Sequence, residues 1–145
     1  RLWYFDDWIS YKQWTIINKQ WAMEKMEKEN IVYEKAYQFA IRIVNTYKYL
    51  TSEKKEFVLS KQLLRCGTSI GANIAEANGA ISKADFSSKI SIAYKECLES
   101  KYWLSLLKDT GFMDTITYNT IYSDAEEIAK LLEKKKLFAI FFLLI

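Results

Sequence analysis

Four carboxylates, Glu76, Asp85, Glu96 and Glu99, crowd around a single turn signal, with Arg65 a little upstream. Two such groups held close together would suit general acid–base work or metal-assisted hydrolysis. The other parts of that chemistry are missing. The chain has no histidine, which removes the commonest general base and metal ligand. It has no glycine-rich phosphate loop, no nucleophile elbow and no Glu-x-x-His pair of the kind that holds two metals inside helical proteins. Ion pairing with Arg65 and nearby lysines, plus helix capping, explains the acids more simply. The two cysteines, Cys66 and Cys97, lack CxxC spacing and histidine partners, so no zinc site is read. They are expected to be reduced thiols acting as small hydrophobes, with redox sensing as the alternative. The sequence therefore assigns no catalytic residue, no cofactor and no metal, and reads as non-enzymatic.

A second chemistry is phosphate binding. Lys54, Lys55, Lys61 and Arg65 form a basic run on and before a helical segment, which is all that sequence-independent contacts to a nucleic acid require. Glu53 and Glu56 interleave with them, however, and mixed-sign runs usually cover a solvated face. Net charge is only +3, from 21 basic and 18 acidic residues. Tyr33, Tyr37, Tyr47 and Tyr49 could stack bases. At helical spacing they equally suit a core or a surface between subunits.

The elements that would position these groups are helices. The chain has no proline and four glycines in 145 residues, so breakers are scarce. Helix 1 is predicted over about 28–50, with Tyr33, Tyr37, Ala40, Val44 and Tyr47 at alternating four- and three-residue steps, flanked by Ala36, Ile43 and Leu50 on a broad stripe. Thr51-Ser52-Glu53 should end it, and Ser52 can cap the next helix with Glu56 in its first turn. Helix 2 is predicted over about 54–78, stopped by Asn78 and a left-handed Gly79. Ser82 with Asp85 resembles a capping box for helix 3, over about 83–110 and ending at Gly111. Helix 4 should run from about 114 to 136. Short connections make neighbours antiparallel, so the fold class is all-α, an up-down-up-down four-helix bundle with long antiparallel helices. The turn near residue 80 then faces Cys66 with Cys97, Arg65 with Glu96, and Glu76 with Asp85.

Within helix 2, Gly67, Gly71 and Ala75 lie four apart, and glycine inside a helix costs about 1 kcal/mol relative to alanine. Such a stripe implies that another helix comes close to this backbone. Asn73 is polar on the same seam. It is expected to fix register or oligomer state, with a cap or a water contact as its alternative. On helix 3, Tyr94, Tyr102, Trp103 and Leu106 lie off the inward stripe and are the candidate surface for self-association.

Both ends differ from the middle. Residues 1–25 form an atypical aromatic-rich extension that holds most of the tryptophans and has no sustained period. Met23 and Met26 precede the first clean helical pattern, so a start there is expected; an aromatic docking segment is the alternative. No basic-then-apolar signal peptide is visible at this N-terminus. Residues 137–145 form an apolar tail after three lysines, too short for a membrane span of about 20 residues. This tail could lie at an interface, be a frame-shifted end, or be buried against the helices. Residues 26–136 make up the helical domain between them.

That domain resembles the bacterial ribosomal RNA intervening-sequence proteins. The resemblance rests on Leu63-Leu64-Arg65, then Thr68-Ser69-Ile70-Gly71-Ala72-Asn73-Ile74-Ala75-Glu76-Ala77, and downstream on Lys83, Phe86, Ile90, Ala93, Glu96, Glu99 and Gly111-Phe112. It implies a four-helix bundle that assembles into a homo-oligomeric ring, often a pentamer. The fold is also similar to the pentameric accessory protein of diversity-generating retroelements, a partner of a reverse transcriptase. The resemblance does not imply an enzyme. The resulting expectation is a cytoplasmic, self-associating interaction module, with an RNA- or DNA-binding accessory factor acting alongside a nucleic-acid enzyme as the alternative. Association with a membrane is the weakest reading.

Overall fold

The structure, a computed structural model, describes residues 3–144, and the side chains of 10–20, 23 and 31–141. The described residues are all-α. Helix α1 spans Trp3–Ser52, α2 Leu59–Asn78, α3 Lys83–Asp109 and α4 Thr115–Leu144, and no strand occurs among them. Internal contacts divide the chain into two units, residues 1–31 and 32–145. The first unit is helical from Trp3 onward, and its described apolar side chains Tyr11, Trp14, Ile16, Ile17 and Met23 are exposed. No backbone break marks the boundary expected after residue 25. With no proline anywhere and no glycine before Gly67, nothing in the sequence interrupts the helix there.

The second unit holds the core. On α1 the buried positions are Val32, Ala36, Phe39, Ile43 and Leu50. The predicted flank Ala36, Ile43 and Leu50 is thus in the core, but the tyrosine side of the expected stripe is not: Tyr37 is exposed, while Tyr33, Ala40, Val44 and Tyr47 are half-buried. Both stripes satisfy helical spacing and lie about one residue apart around the axis. The aliphatic one wins because a tyrosine hydroxyl buried in a core must find a partner. Leu63, Cys66, Ile70, Ile74 and Ala77 of α2 close over it, with Ile90, Ala93, Cys97, Leu104 and Leu107 of α3 and Ile121, Ala125, Ile128 and Leu132 of α4.

Cross-helix contacts fix the register. Gly67 lies against Ile43 and Gly71 against Ala36. Arg65 reaches Glu96 and Glu99, and Glu76 reaches Lys89. Lys101 pairs with Glu126, Arg42 with Asp124 and Lys35 with Glu127. Cys97 meets Ala125 and Ser105 meets Tyr118 on the α3–α4 side. Across every set, taken end to end, residue numbers rise on one helix as they fall on the other, so these neighbours run in opposite directions.

The helix ends follow local hydrogen bonding. Helix α2 starts at Leu59 rather than near Lys54, because Glu56 acts as the cap. Its carboxylate accepts from the N–H groups of Val58 at 3.0 Å, Leu59 at 2.8 Å and Ser60 at 2.6 Å, while the Ser60 hydroxyl donates to the Glu56 carbonyl at 2.8 Å. Ser52, expected as the cap, is instead the last residue of α1. For α3 the expectation holds: Ser82 Oγ accepts from Asp85 N at 3.1 Å, and Asp85 accepts from Ile81 N at 3.3 Å. Asp114 caps α4 through Thr117 N at 2.8 Å. Gly79 has φ −98°, not the left-handed value expected, whereas Gly111 does adopt φ +80°. Helix α4 continues past Lys136 to Leu144, and on that continuation Ala139 is buried while Leu137, Phe138, Ile140 and Phe141 are exposed. None of the described helices is long and apolar enough to cross a membrane.

Candidate functional site

Helices α1 and α2 approach each other closely because α2 supplies glycine at the crossing. A Cβ on Gly67 would stand 2.9 Å from two carbons of Ile43, whereas one on Gly71 would rest 3.7 Å from the Ala36 backbone in ordinary contact. Ala75, predicted on the same buried stripe, is exposed instead. Steps of four residues advance about 40° beyond a full helical turn, so the row rotates out of the interface by its third member. The exposed end of that row forms the floor of a cleft of about 270 Å³ lined by Tyr33, Tyr37, Ala40, Thr68, Gly71, Ala72 and Ala75. The rings of Tyr33 and Tyr37 stack at 6.2 Å along one wall. Three residues of the stripe predicted on helix 1, Tyr33, Tyr37 and Ala40, thus line an open cleft between α1 and α2.

Asn73 lies beside this cleft, half-buried, and its amide donates to Ser69 O at 2.8 Å and Ser69 Oγ at 3.0 Å within α2. Its described hydrogen bonds are therefore local to α2. A buried polar contact across the α2–α3 seam comes from the Ser100 hydroxyl, 3.2 Å from Cys66 Sγ. Cys97 donates to Ala125 O at 3.2 Å. Both thiols are fully buried and free, and burial pushes them up to about 11 for Cys66 and about 12 for Cys97. Nucleophilic or redox work at neutral pH needs a thiolate, and these sites disfavour it.

The carboxylates do not converge into one catalytic group. Glu99 accepts from Arg65 at 2.5 Å and from the Trp103 indole N–H at 3.1 Å. The Trp103 bond, with Arg65 behind it, holds the Glu99 carboxyl below its usual range against the opposing effect of burial. Glu96 stands 3.7 Å from Arg65. Glu76 pairs with Lys89 rather than Asp85, which is engaged in the cap of α3. Among the described residues, no three His, Cys, Asp or Glu side chains are grouped to hold a metal.

Of the predicted basic residues, Lys54, Lys55 and Lys61 are exposed, while Arg65 is committed to Glu96 and Glu99. Lys54 and Lys55 lie in the α1–α2 connection rather than on a helix, with Lys55 at φ 54° and Lys54 Nζ 6.0 Å from the Tyr49 ring. The predicted association surface on α3 divides in two. Tyr102 is exposed and meets Trp103 edge-on at 5.0 Å. Tyr94, Trp103 and Leu106 are half-buried, the first two packed against the core, and Lys136 lies over the Tyr94 ring at 5.3 Å.

Sequence reasoning missed the α3–α4 seam. There Tyr118 and Tyr122 pack at 5.0 Å, with Lys108 over the first ring, Lys101 over the second, and Ser105 Oγ 3.2 Å from the Tyr118 hydroxyl. The four-residue spacing of the two tyrosines, opposite Lys101, Ser105 and Lys108 on α3, was the available signal.

Comparison with known proteins bears on this arrangement of helices. A crystal structure of a protein of unknown function from the S23 ribosomal protein family of Bacteroides thetaiotaomicron is 53% identical, covering 75% of this chain and 97% of that one, with a TM-score of 0.74. None of the curated proteins matches the chain. The model of the 23S rRNA-intervening sequence protein family matches residues 28–134, from the last turns before Val32 almost to Lys136. This chain belongs to the 23S rRNA-intervening sequence protein family.

Proposed function

We propose that this protein is a non-enzymatic, self-associating interaction module of the cytoplasm. In this reading residues 32–136 form an up-down-up-down four-helix bundle, and copies assemble into a homo-oligomeric ring for which the pentamer is the expected size. The observation that carries it is the α1–α2 cleft, where the half-buried and exposed tyrosines Tyr33 and Tyr37 stand over Ala72 and Ala75 on an open face. The cleft is lined mainly by apolar groups on an open face, where a side chain of a partner could pack. Leu98, Tyr102 and Ile92 of α3 add exposed apolar area elsewhere. Light scattering after gel filtration of the full chain tests the proposal. A mass of several subunits is expected, and a monomer at every concentration would refute it.

One observation favours a second reading, an RNA- or DNA-binding accessory factor acting with a nucleic-acid enzyme. Lys54 and Lys55 in the α1–α2 connection and Lys61 in the first turn of α2 are exposed, and the family is named for a ribosomal RNA element. A ring would repeat these lysines in every subunit. Absorbance at 260 and 280 nm recorded on the same column separates the readings, since co-purifying nucleic acid supports the second.

A further inference from the structure

We propose that the end of α4, from Leu137 onward, inserts into one leaflet of an anionic lipid bilayer, with the lysines just before it held among the headgroups. Insertion of this kind does not depend on self-association. Residues 130–136 hold four lysines and one glutamate, and 137–145 are all apolar. Helix α4 runs through the junction without a break, to Leu144. Along one side of it Lys130, Lys134, Leu137 and Phe141 follow at steps of four, three and four residues, and all four are exposed, Leu137 by 63% and Phe141 by 62%. The stripe is basic over its first half and apolar over its second. Exposed Phe138 and Ile140 widen the apolar half, while Ala139 is buried. With 3.6 residues per turn, Ile140, Leu137, Phe141 and Phe138 sweep an arc of about 160°.

A helix that packs on a protein surface changes character around its axis, apolar on one face and polar on the other. This one changes along its axis, and from Leu137 its sequence offers no polar face to return to water. A protein groove covers one side of such a rod, whereas a bilayer surrounds it. Length sets the depth. At 1.5 Å per residue, Leu137 to Leu144 covers about 10 Å. That suits the roughly 5–10 Å reached by an interfacial helix and falls far short of a hydrocarbon core of about 30 Å. Too short and too charged to cross a membrane, α4 is still long enough for shallow insertion. Charge selects the lipid. Lys130 and Lys134 precede Leu137 on the exposed stripe by two turns and one, level with the headgroups, and basic residues in that position are drawn to anionic lipid. Lys130 stands 3.9 Å from Glu126, a carboxylate already held by Lys101, so its charge is not cancelled there. Because α3 and α4 are antiparallel, with Lys136 over the Tyr94 ring, α4 beyond Lys136 runs toward the start of α3. In the connection just before that start Ile81 is 96% exposed, followed by exposed Lys83, so the same end of the helices offers a second apolar group beside a basic one.

Flotation of the full chain with phosphatidylcholine vesicles, with and without phosphatidylglycerol, tests the insertion. The chain should float with the mixed vesicles and bind the neutral ones several-fold more weakly. Leu137→Glu combined with Phe141→Glu should abolish flotation. Lys130→Gln combined with Lys134→Gln should weaken binding to the mixed vesicles several-fold and leave the neutral ones unchanged. Exchanging the apolar pair, Leu137→Phe with Phe141→Leu, should bind as the parent does, because a bilayer reads apolarity and a protein groove reads shape. A parent that floats with neither vesicle would overturn the proposal. So would flotation that survives the double glutamate change, since the contact would then lie elsewhere on the chain, and so would loss of flotation in the exchanged pair. All the substituted positions are exposed, and circular dichroism checks that helicity is kept. If the glutamate variant loses it, the lysine pair and the exchanged pair still decide the matter: a lysine variant that keeps the full preference for mixed vesicles would overturn the role given to those charges.

Discussion

Gly67 and Gly71 are the same residue type four positions apart on one helix, yet they are under different constraints. At Gly67 any side chain would meet Ile43, a buried β-branched residue that cannot swing away, at 2.9 Å. At Gly71 the nearest atoms are 3.7 Å off, so a methyl group fits. Gly67→Ala should therefore destabilise by about 1–3 kcal/mol through overpacking. Gly71→Ala should be neutral or stabilise by up to about 1 kcal/mol, since alanine is the better helix former. Urea unfolding at one fixed protein concentration checks both, and equal losses at the two sites would refute the assignment of Gly67 to the tight crossing. The close approach itself was legible in the sequence from the four-residue spacing. What spacing could not show was where along the row the approach ends, because that depends on how the helices cross.

The start of α2 shows how one side chain sets an element's boundary. Burial works against a charge on Glu56, but the backbone N–H groups of Leu59, Ser60 and Val58 more than offset it, and the carboxyl titrates below its ordinary range. A depressed folded-state value means that the stabilisation is present above the unfolded carboxylate range and is lost as pH falls through it. Glu56→Ala should cost about 0.5–2 kcal/mol at neutral pH, the usual range for a lost cap. The difference from the parent should shrink on acidification, as followed by urea midpoints between neutral and acid pH. A constant gap would mean that the loss comes from packing alone. The start and end of α3 were legible because Ser82 and Gly111 carry the usual signals for capping and for a left-handed turn. The start of α2 was not, since glutamate is an uncommon cap and its role depends on the chain turning back over it. The core face of α1 was legible only in part, through Ala36, Ile43 and Leu50, for a related reason. Two adjacent stripes have the same period, and only contact with α2 through Ile43 and Ala36 selects one of them.

For the molecule as a whole, net charge is small, +3 over 145 residues, and several of the charged side chains are paired across helices. Lys54, Lys55 and Lys61 remain exposed at the mouth of the α1–α2 connection. Reversing all three to glutamate should leave helicity and oligomer size unchanged if they only decorate a solvated face. If the protein grips a phosphate backbone, the same change removes several contacts per subunit. A multivalent assembly amplifies that loss, and the salt dependence of binding should flatten. Filter binding of a generic RNA over a range of salt concentrations distinguishes the two cases. Tight binding at physiological salt that vanishes in the triple variant would favour the accessory-factor reading over the module proposed here.

Cys66 and Cys97 sit where α2, α3 and α4 meet, closed off from water and held protonated far above neutral pH. An alkylating reagent in solution meets no thiolate while that junction stays shut, so labelling must wait for the helices to separate. When opening and closing are fast compared with the chemistry, the labelling rate is the intrinsic thiol rate scaled by the fraction of time spent open. The pair therefore works as a built-in clock for transient opening of the core.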